Sequence, residues 1–172
     1  MAKLSAGLLL HRVTGSEFEV LLVHPGGPFW AKKDDGAWSI PKGEHGPGDD
    51  PRECALREFA EELGSPAPAP THGTTSSDVD LGEVRLKSGK RIRAFARAAT
   101  LDADHIESNT FEQEWPPRSG RMQTFPEVDR AAWFSLEAAR TKLNPAQVAF
   151  LDQLLDHLGV TEDHAEDHSG DR

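Results

Sequence analysis

Gly43-Glu44-His45-Gly46-Pro47-Gly48-Asp49-Asp50-Pro51-Arg52-Glu53-Cys54-Ala55-Leu56-Arg57-Glu58-Phe59-Ala60-Glu61-Glu62-Leu63-Gly64 is the stretch on which the reading of this chain turns. Its first part, Gly43 to Asp50, is rich in Gly, Pro and Asp and reads as a shaped loop. Asp49 or Asp50 then offers an N-cap, Pro51 suits a first helical position, and Gly64 closes the helix. At ~3.6 residues per turn, Leu56, Phe59, Ala60 and Leu63 share one narrow arc. Glu58, Glu61 and Glu62 cluster on the opposite side, with Cys54 near them. Like charges spaced three and four residues apart weaken a helix in water. A divalent cation would remove that repulsion, and hard oxygen donors on one helical face suit Mg2+ or Mn2+. A solvated acidic face explains an isolated E-x-x-E-E equally well. The Gly-rich loop before the helix, Arg57 beside the first carboxylate and Gly64 directly after the last one favour the site.

Upstream, residues 5–13 and 18–24 are apolar, β-rich runs separated by Thr14-Gly15-Ser16-Glu17, a strand, a turn and a strand. Residues 25–36 read as a loop carrying Phe29 and Trp30, and Ala37-Trp38-Ser39-Ile40 as a short strand that stops at Pro41. Downstream, Ser65 to Pro70 is a stiff connector, and residues 81–99 form two alternating strands joined through Ser88-Gly89. Residues 102–128 read as one long loop with Pro116, Pro117 and Pro126. Ala131 to Leu136 is a last strand, and Pro145 to Leu158 an amphipathic helix with Val148, Leu151, Leu154, Leu155 and Leu158 on one side. Residues 1–160 thus form one domain, and 161–172 an acidic tail with too little apolar surface to fold.

Composition narrows the function classes. The 172 residues are 37% hydrophobic and 28% charged, as in a globular domain. A net charge of −10 argues against generic binding to nucleic acid or anionic membranes. A single cysteine, Cys54, excludes an intrachain disulfide framework. The apolar run near the N-terminus ends at His11-Arg12 without a cleavage signature, so it reads as a strand, and the protein as cytoplasmic.

The 43–65 segment resembles the Nudix box, G-x5-E-x7-R-E-U-x-E-E-x-G-U, with U a bulky apolar residue. Gly43, Arg57, Glu58, Phe59, Glu61, Glu62 and Gly64 match in spacing. Asp49 stands where the box has Glu, and Ser65 where it has an apolar residue. The resemblance implies an α/β/α sandwich around a mixed β-sheet. It also implies Mg2+-dependent hydrolysis of a phosphoanhydride in a nucleoside diphosphate linked to another group. Carried over residue by residue, Glu58, Glu61 and Glu62 would be metal ligands, and Arg57 would orient the carboxylates. Asp49, one methylene short, would reach metal only through water. Glu127 sits where several relatives place a loop Glu acting as general base; Glu112 and Glu114 compete for that role. Leu8 to Arg12, Val20 to His24 and Trp38-Ser39-Ile40-Pro41-Lys42-Gly43 are similar to the dinucleoside-polyphosphate branch. Asp49 also permits a nucleotide-binding module of the same fold without turnover.

For substrate contacts the residues offer two groups. Arg91, Arg93 and Arg97 alternate with small and apolar residues, so one sheet face is cationic; with Lys42, Arg118 and Arg121 it could clamp a polyphosphate. A solvated hairpin face is the competing explanation. Phe29, Trp30 and Trp115 lie in expected loops and could stack on a base, whereas Trp38 and Trp133 are assigned to the core. Cys54 reads as a small filler, lacking a neighbour to activate it. The partner expected is a small nucleotide or polyphosphate, not a membrane or a nucleic acid.

Overall fold

A computed structural model describes residues 3–71 and 78–159. The acidic tail expected over 161–172 lies outside the described residues. Leu4–Thr14 (β1) and Glu17–Pro25 (β2) form the expected hairpin, with Gly15 at φ 65 in its turn. Lys42–His45 (β3) leads into the helix Pro51–Leu63 (α1). Val79–Arg85 (β4) and Arg91–Ala98 (β5) make the second hairpin. Thr110–Glu114 (β6) and Met122–Pro126 (β7) pair only with each other. Val128–Ser135 (β8), Leu136–Lys142 (α2), a 3-10 turn at Pro145–Gln147 and Val148–Leu158 (α3) complete the domain.

The main sheet runs β4-β5-β1-β2-β8, and β3 also pairs with β1. Only β1 and β5 are parallel, so the sheet is mixed. The sheet forks. Leu4–Gly7 of β1 pair with β3, whereas His11–Thr14 pair with β2. At the fork Leu8 donates its N–H to the Pro41 carbonyl at 3.1 Å. Any Cβ at Gly7 would crowd that carbonyl and the Ile40 side chain, so glycine is required there.

Alternation along the strands divides the core into two layers. Ala6, Leu8 and Leu10 of β1 join Leu21, Val23 and Phe95 beneath Cys54, Ala55, Phe59 and Leu63 of α1. Leu9, Val20, Leu22, Ile92 and Ala94 face the other way, against Ala139 of α2 and Phe150, Leu151 and Leu154 of α3. This is the expected three-layer α/β/α architecture. Fully burying a side chain such as Phe59 contributes roughly 1.5–3 kcal/mol.

Several local expectations need correction. Trp38 and Ser39 form isolated bridges to Leu143 and Val23 rather than a strand over 37–40. The strand in this region is β3, inside what the sequence presents as loop. Residues 102–128 are not one loop, since the β6–β7 hairpin occupies much of the interval. β8 begins at Val128, and Ser135 leaves it to cap α2, its hydroxyl accepting the Ala138 N–H at 3.2 Å. The C-terminal helix starts as a 3-10 turn because the Asn144 side chain accepts the Ala146 N–H there.

Candidate active site

The caps of α1 are those its sequence prescribes. The Asp50 carboxylate accepts the Arg52 N–H at 3.0 Å, Pro51 opens the helix, and Gly64 ends it at φ 81, donating its N–H to the Ala60 carbonyl. The helix is rotated relative to the expected wheel. Cys54, Ala55, Phe59 and Leu63 are its buried residues, while Leu56 and Ala60 are only partly covered. The buried arc therefore swings toward the glutamates, and Glu58 and Glu62 face the gap between α1 and the β1–β3 pair instead of open water. What admits a carboxylate there is the backbone of β3: Lys42 donates its N–H to Glu62 Oε2 at 3.3 Å. Gly43 is the second requirement, because a Cβ at that position would overlap the Glu58 carboxyl group.

The electrostatics follow from this placement. Burial is the main force raising the Glu62 carboxyl, to about 8, with Glu58 and Glu127 adding repulsion and Lys42 opposing it. Glu58 is raised by burial first and then by Glu61, against the pull of Arg57, with a further push from Glu127. The Lys42 ammonium is held below its ordinary value by burial and by Lys90, with Glu62, Glu44 and Glu58 opposing. Glu127, far away in sequence, is thus close enough to act on both Glu58 and Glu62. Arg57 Nη2 lies 3.5 Å from Glu58 Oε1 and 3.6 Å from Cys54 Sγ. The Cys54 thiol is buried and pushed up, which suits a filler and not a nucleophile.

The arrangement suits a divalent cation by charge and donor type. Its glutamates are hard oxygen donors, half-sunk and mutually repelling, and short of the positive charge that would stabilise their ionised forms. Among the described residues no three His, Cys, Asp or Glu side chains converge as a ready-made ligand set. Asp49 is exposed, and its Oδ2 accepts the Gly46 N–H at 2.8 Å, so it shapes the loop before α1.

The remaining candidates are scattered more widely. Arg91 Nε pairs with Glu83, and Arg93 Nε lies 3.8 Å from Asp80 Oδ1. Arg97 is buried, binding both oxygens of Asp78 at 2.7 Å and the Pro68 carbonyl at 3.0 Å. The expected cationic face is therefore largely neutralised by carboxylates from β4 and the residue just before it. Trp30 packs beside the α3-side layer and meets Phe29 edge-on at 5.0 Å. Phe29 is 62% exposed, with Lys33 Nζ 3.4 Å from its ring centre. Trp115 follows β6 at the far end of the separate hairpin, close in sequence to exposed Arg118 and Arg121.

His24 was not singled out by sequence and is fully buried. Its Nδ1 lies 2.8 Å from Asp129 Oδ1, and its Nε2 lies 2.6 Å from the Lys33 carbonyl. The only sequence signal is a histidine at the end of an otherwise apolar strand. Beside it, Gly26 donates its N–H to the Glu127 carbonyl at 2.9 Å, and a Cβ at Gly26 would strike the Pro126 carbonyl. The 26–36 loop and the Glu127 turn are therefore locked together.

Comparison with known proteins agrees with this geometry. The family model for the NUDIX domain matches residues 1–154. Among solved structures, an Ap4A hydrolase binary complex from C. elegans superposes with TM-score 0.59 at 18% identity, over 90% of this chain and 98% of that one. The NUDIX domain of Shewanella oneidensis NrtR, complexed with ADP ribose, gives TM-score 0.61 at 16% identity, over 92% and 89%. A Nudix hydrolase from M. Smegmatis, RenU, gives 0.53 at 22%, over 90% and 84%. Such identities establish a shared fold. A search of curated protein sequences finds no match. No helix among the described residues is long and apolar enough to cross a membrane.

Proposed function

Since this chain belongs to the Nudix family, whose members hydrolyse pyrophosphate bonds, we propose that it splits a phosphoanhydride in a nucleotide polyphosphate, with a dinucleoside polyphosphate as the substrate to test first. The observation carrying this reading is a backbone chain, the Glu127 N–H on the Asn109 carbonyl and the Asn109 N–H on the Glu61 carbonyl, that ties the Glu127 turn to the acidic helix α1. Glu58, Glu61 and Glu62 would hold Mg2+ or Mn2+, which supplies Lewis acidity against the negative phosphates. Arg57 holds Glu58 in place, and Asp49 would reach the cation only through water. Water attacks one phosphorus, the bridging P–O bond breaks, and the Glu127 carboxylate takes the proton released. Lys42, Arg91 and Arg93 contact phosphates, the two arginines exchanging Glu83 and Asp80 for substrate oxygens. Trp30 and Trp115 offer faces for the bases.

Chromatography of products after incubation with Mg2+ tests the proposal. The panel would hold diadenosine polyphosphates, nucleoside triphosphates, ADP-ribose and a diphosphoinositol phosphate, with Glu61→Gln run in parallel. Turnover by the wild type and near-silence of the variant are expected. Asp49, tied to Gly46 and shorter than the box Glu, favours one alternative, a nucleotide-binding module without turnover. Ligand-induced stabilisation with no product from any panel member would establish that alternative.

A further inference from the structure

The last turn of α1 leaves carbonyls without helical partners. Two are taken up by an irregular strap that precedes β6: Glu107 donates its N–H to the Leu63 carbonyl at 3.2 Å, and Asn109 to the Glu61 carbonyl at 2.9 Å. Gly64 makes the approach feasible, because a Cβ there would strike the Glu107 backbone. The same strap reaches the loop glutamate. The Asn109 carbonyl accepts the Glu127 N–H at 2.8 Å and the Ser108 hydroxyl proton at 2.7 Å, which fills both of its lone pairs. Ser108 Oγ in turn accepts the Val128 N–H at 3.0 Å. Val128 is only 4% exposed, so no bulk water stands ready to replace that acceptor.

From these contacts we infer that Ser108 is a positioning residue, whose hydroxyl fixes the Glu127 turn against the helix that carries Glu58, Glu61 and Glu62. The inference rests on the proposed role of Glu127. The hydroxyl bridges the carbonyl and the amide on either side of the turn, and Asn109 joins the turn directly to the backbone of Glu61. Displacing a reacting group by about 1 Å can cost on the order of a hundredfold in rate. Ser108→Ala, which frees one side of the turn, should lower kcat roughly tenfold with KM nearly unchanged. Ser108→Thr keeps the hydroxyl and should retain most of the rate.

The test is a double-mutant cycle with Glu127→Gln, read alongside amide hydrogen exchange of the wild type and Ser108→Ala without metal. The expected result is that Ser108→Ala slows the wild type but adds nothing in the Glu127→Gln background. The Glu127 and Val128 amides should be protected in the wild type and exchange faster in the variant. Equal slowing in both backgrounds overturns the inference and makes Ser108 merely structural. Unprotected Glu127 and Val128 amides in the wild type overturn it without any variant. If Glu127→Gln retains full kcat, the role of Glu127 fails instead, while the exchange data still report whether the strap holds the turn.

Discussion

Glu62→Gln should make the metal-free protein more stable at neutral pH while abolishing its activity. In the folded protein the Glu62 carboxyl resists ionisation until about pH 8, chiefly because it is buried. In the unfolded chain it ionises near the ordinary value of 4.5. Between those limits the unfolded chain binds fewer protons, so this group makes stability fall as pH rises from about 4.5 to about 8. At pH 7 that loss is about 3 kcal/mol, with the pull of Lys42 already included. Glutamine is nearly isosteric, can still accept the Lys42 N–H, and does not titrate. Urea unfolding in EDTA at pH 5 and pH 7.5 provides the assay. The wild type should lose stability between the two pH values, and the variant should lose much less. Added Mg2+ should stabilise the wild type most at the higher pH and leave the variant nearly unmoved. Parallel pH profiles for the two proteins would refute the placement of Glu62 in the gap between α1 and β3.

Three further outcomes follow from contacts of similar specificity. Gly43→Ala pushes a methyl group into the Glu58 carboxyl, so kcat should drop on the order of a hundredfold with the circular dichroism spectrum unchanged; full activity would show that Glu58 need not stay where it is. Arg97→Ala leaves the buried Asp78 with Arg52 as its cation and takes the donor from the Pro68 carbonyl, so it should lower unfolding free energy by about 2–3 kcal/mol in a chemical denaturation curve; a loss below about 1 kcal/mol would mean that the pair is solvated. Arg91→Ala combined with Arg93→Ala should raise KM for a polyphosphate substrate about tenfold at low salt while sparing kcat. An unchanged KM would leave both arginines as partners of β4 alone.

Local chemistry made α1 legible in sequence, because an Asp cap, a Pro at the first turn and a closing Gly act within a few residues of themselves. The strands rich in Leu, Val and Phe were legible for the same reason. β3 was not. Lys42-Gly43-Glu44-His45 is polar and contains a glycine, and it is extended only because β1 offers Leu4–Gly7 as a partner. β6 and β7 are hidden by Pro116, Pro117 and Pro126, which mark their ends and so make the whole interval look like loop. The rotation of α1 escaped the wheel because hydrophobicity places every glutamate outside. A backbone N–H from Lys42 and the missing side chain at Gly43 are tertiary facts that reverse this for Glu62 and Glu58. Glu127 enters as a candidate only through the resemblance, beside Glu112 and Glu114, and the strap that holds it has no local signature.

The parallel pairing of β1 with β5 has a consequence for how the molecule assembles. Leu4 meets Arg91, so the ribbon on which α1 rests closes only when chain segments nearly ninety residues apart come together. Loop-closure entropy and high contact order slow such steps. During synthesis the carboxylate helix emerges well before β5 can occupy its edge of β1, so the helix waits without a finished seat. Fragments ending before Arg91 should therefore expose the apolar side of α1, and their solubility should depend on helpers that shield it until β5 arrives.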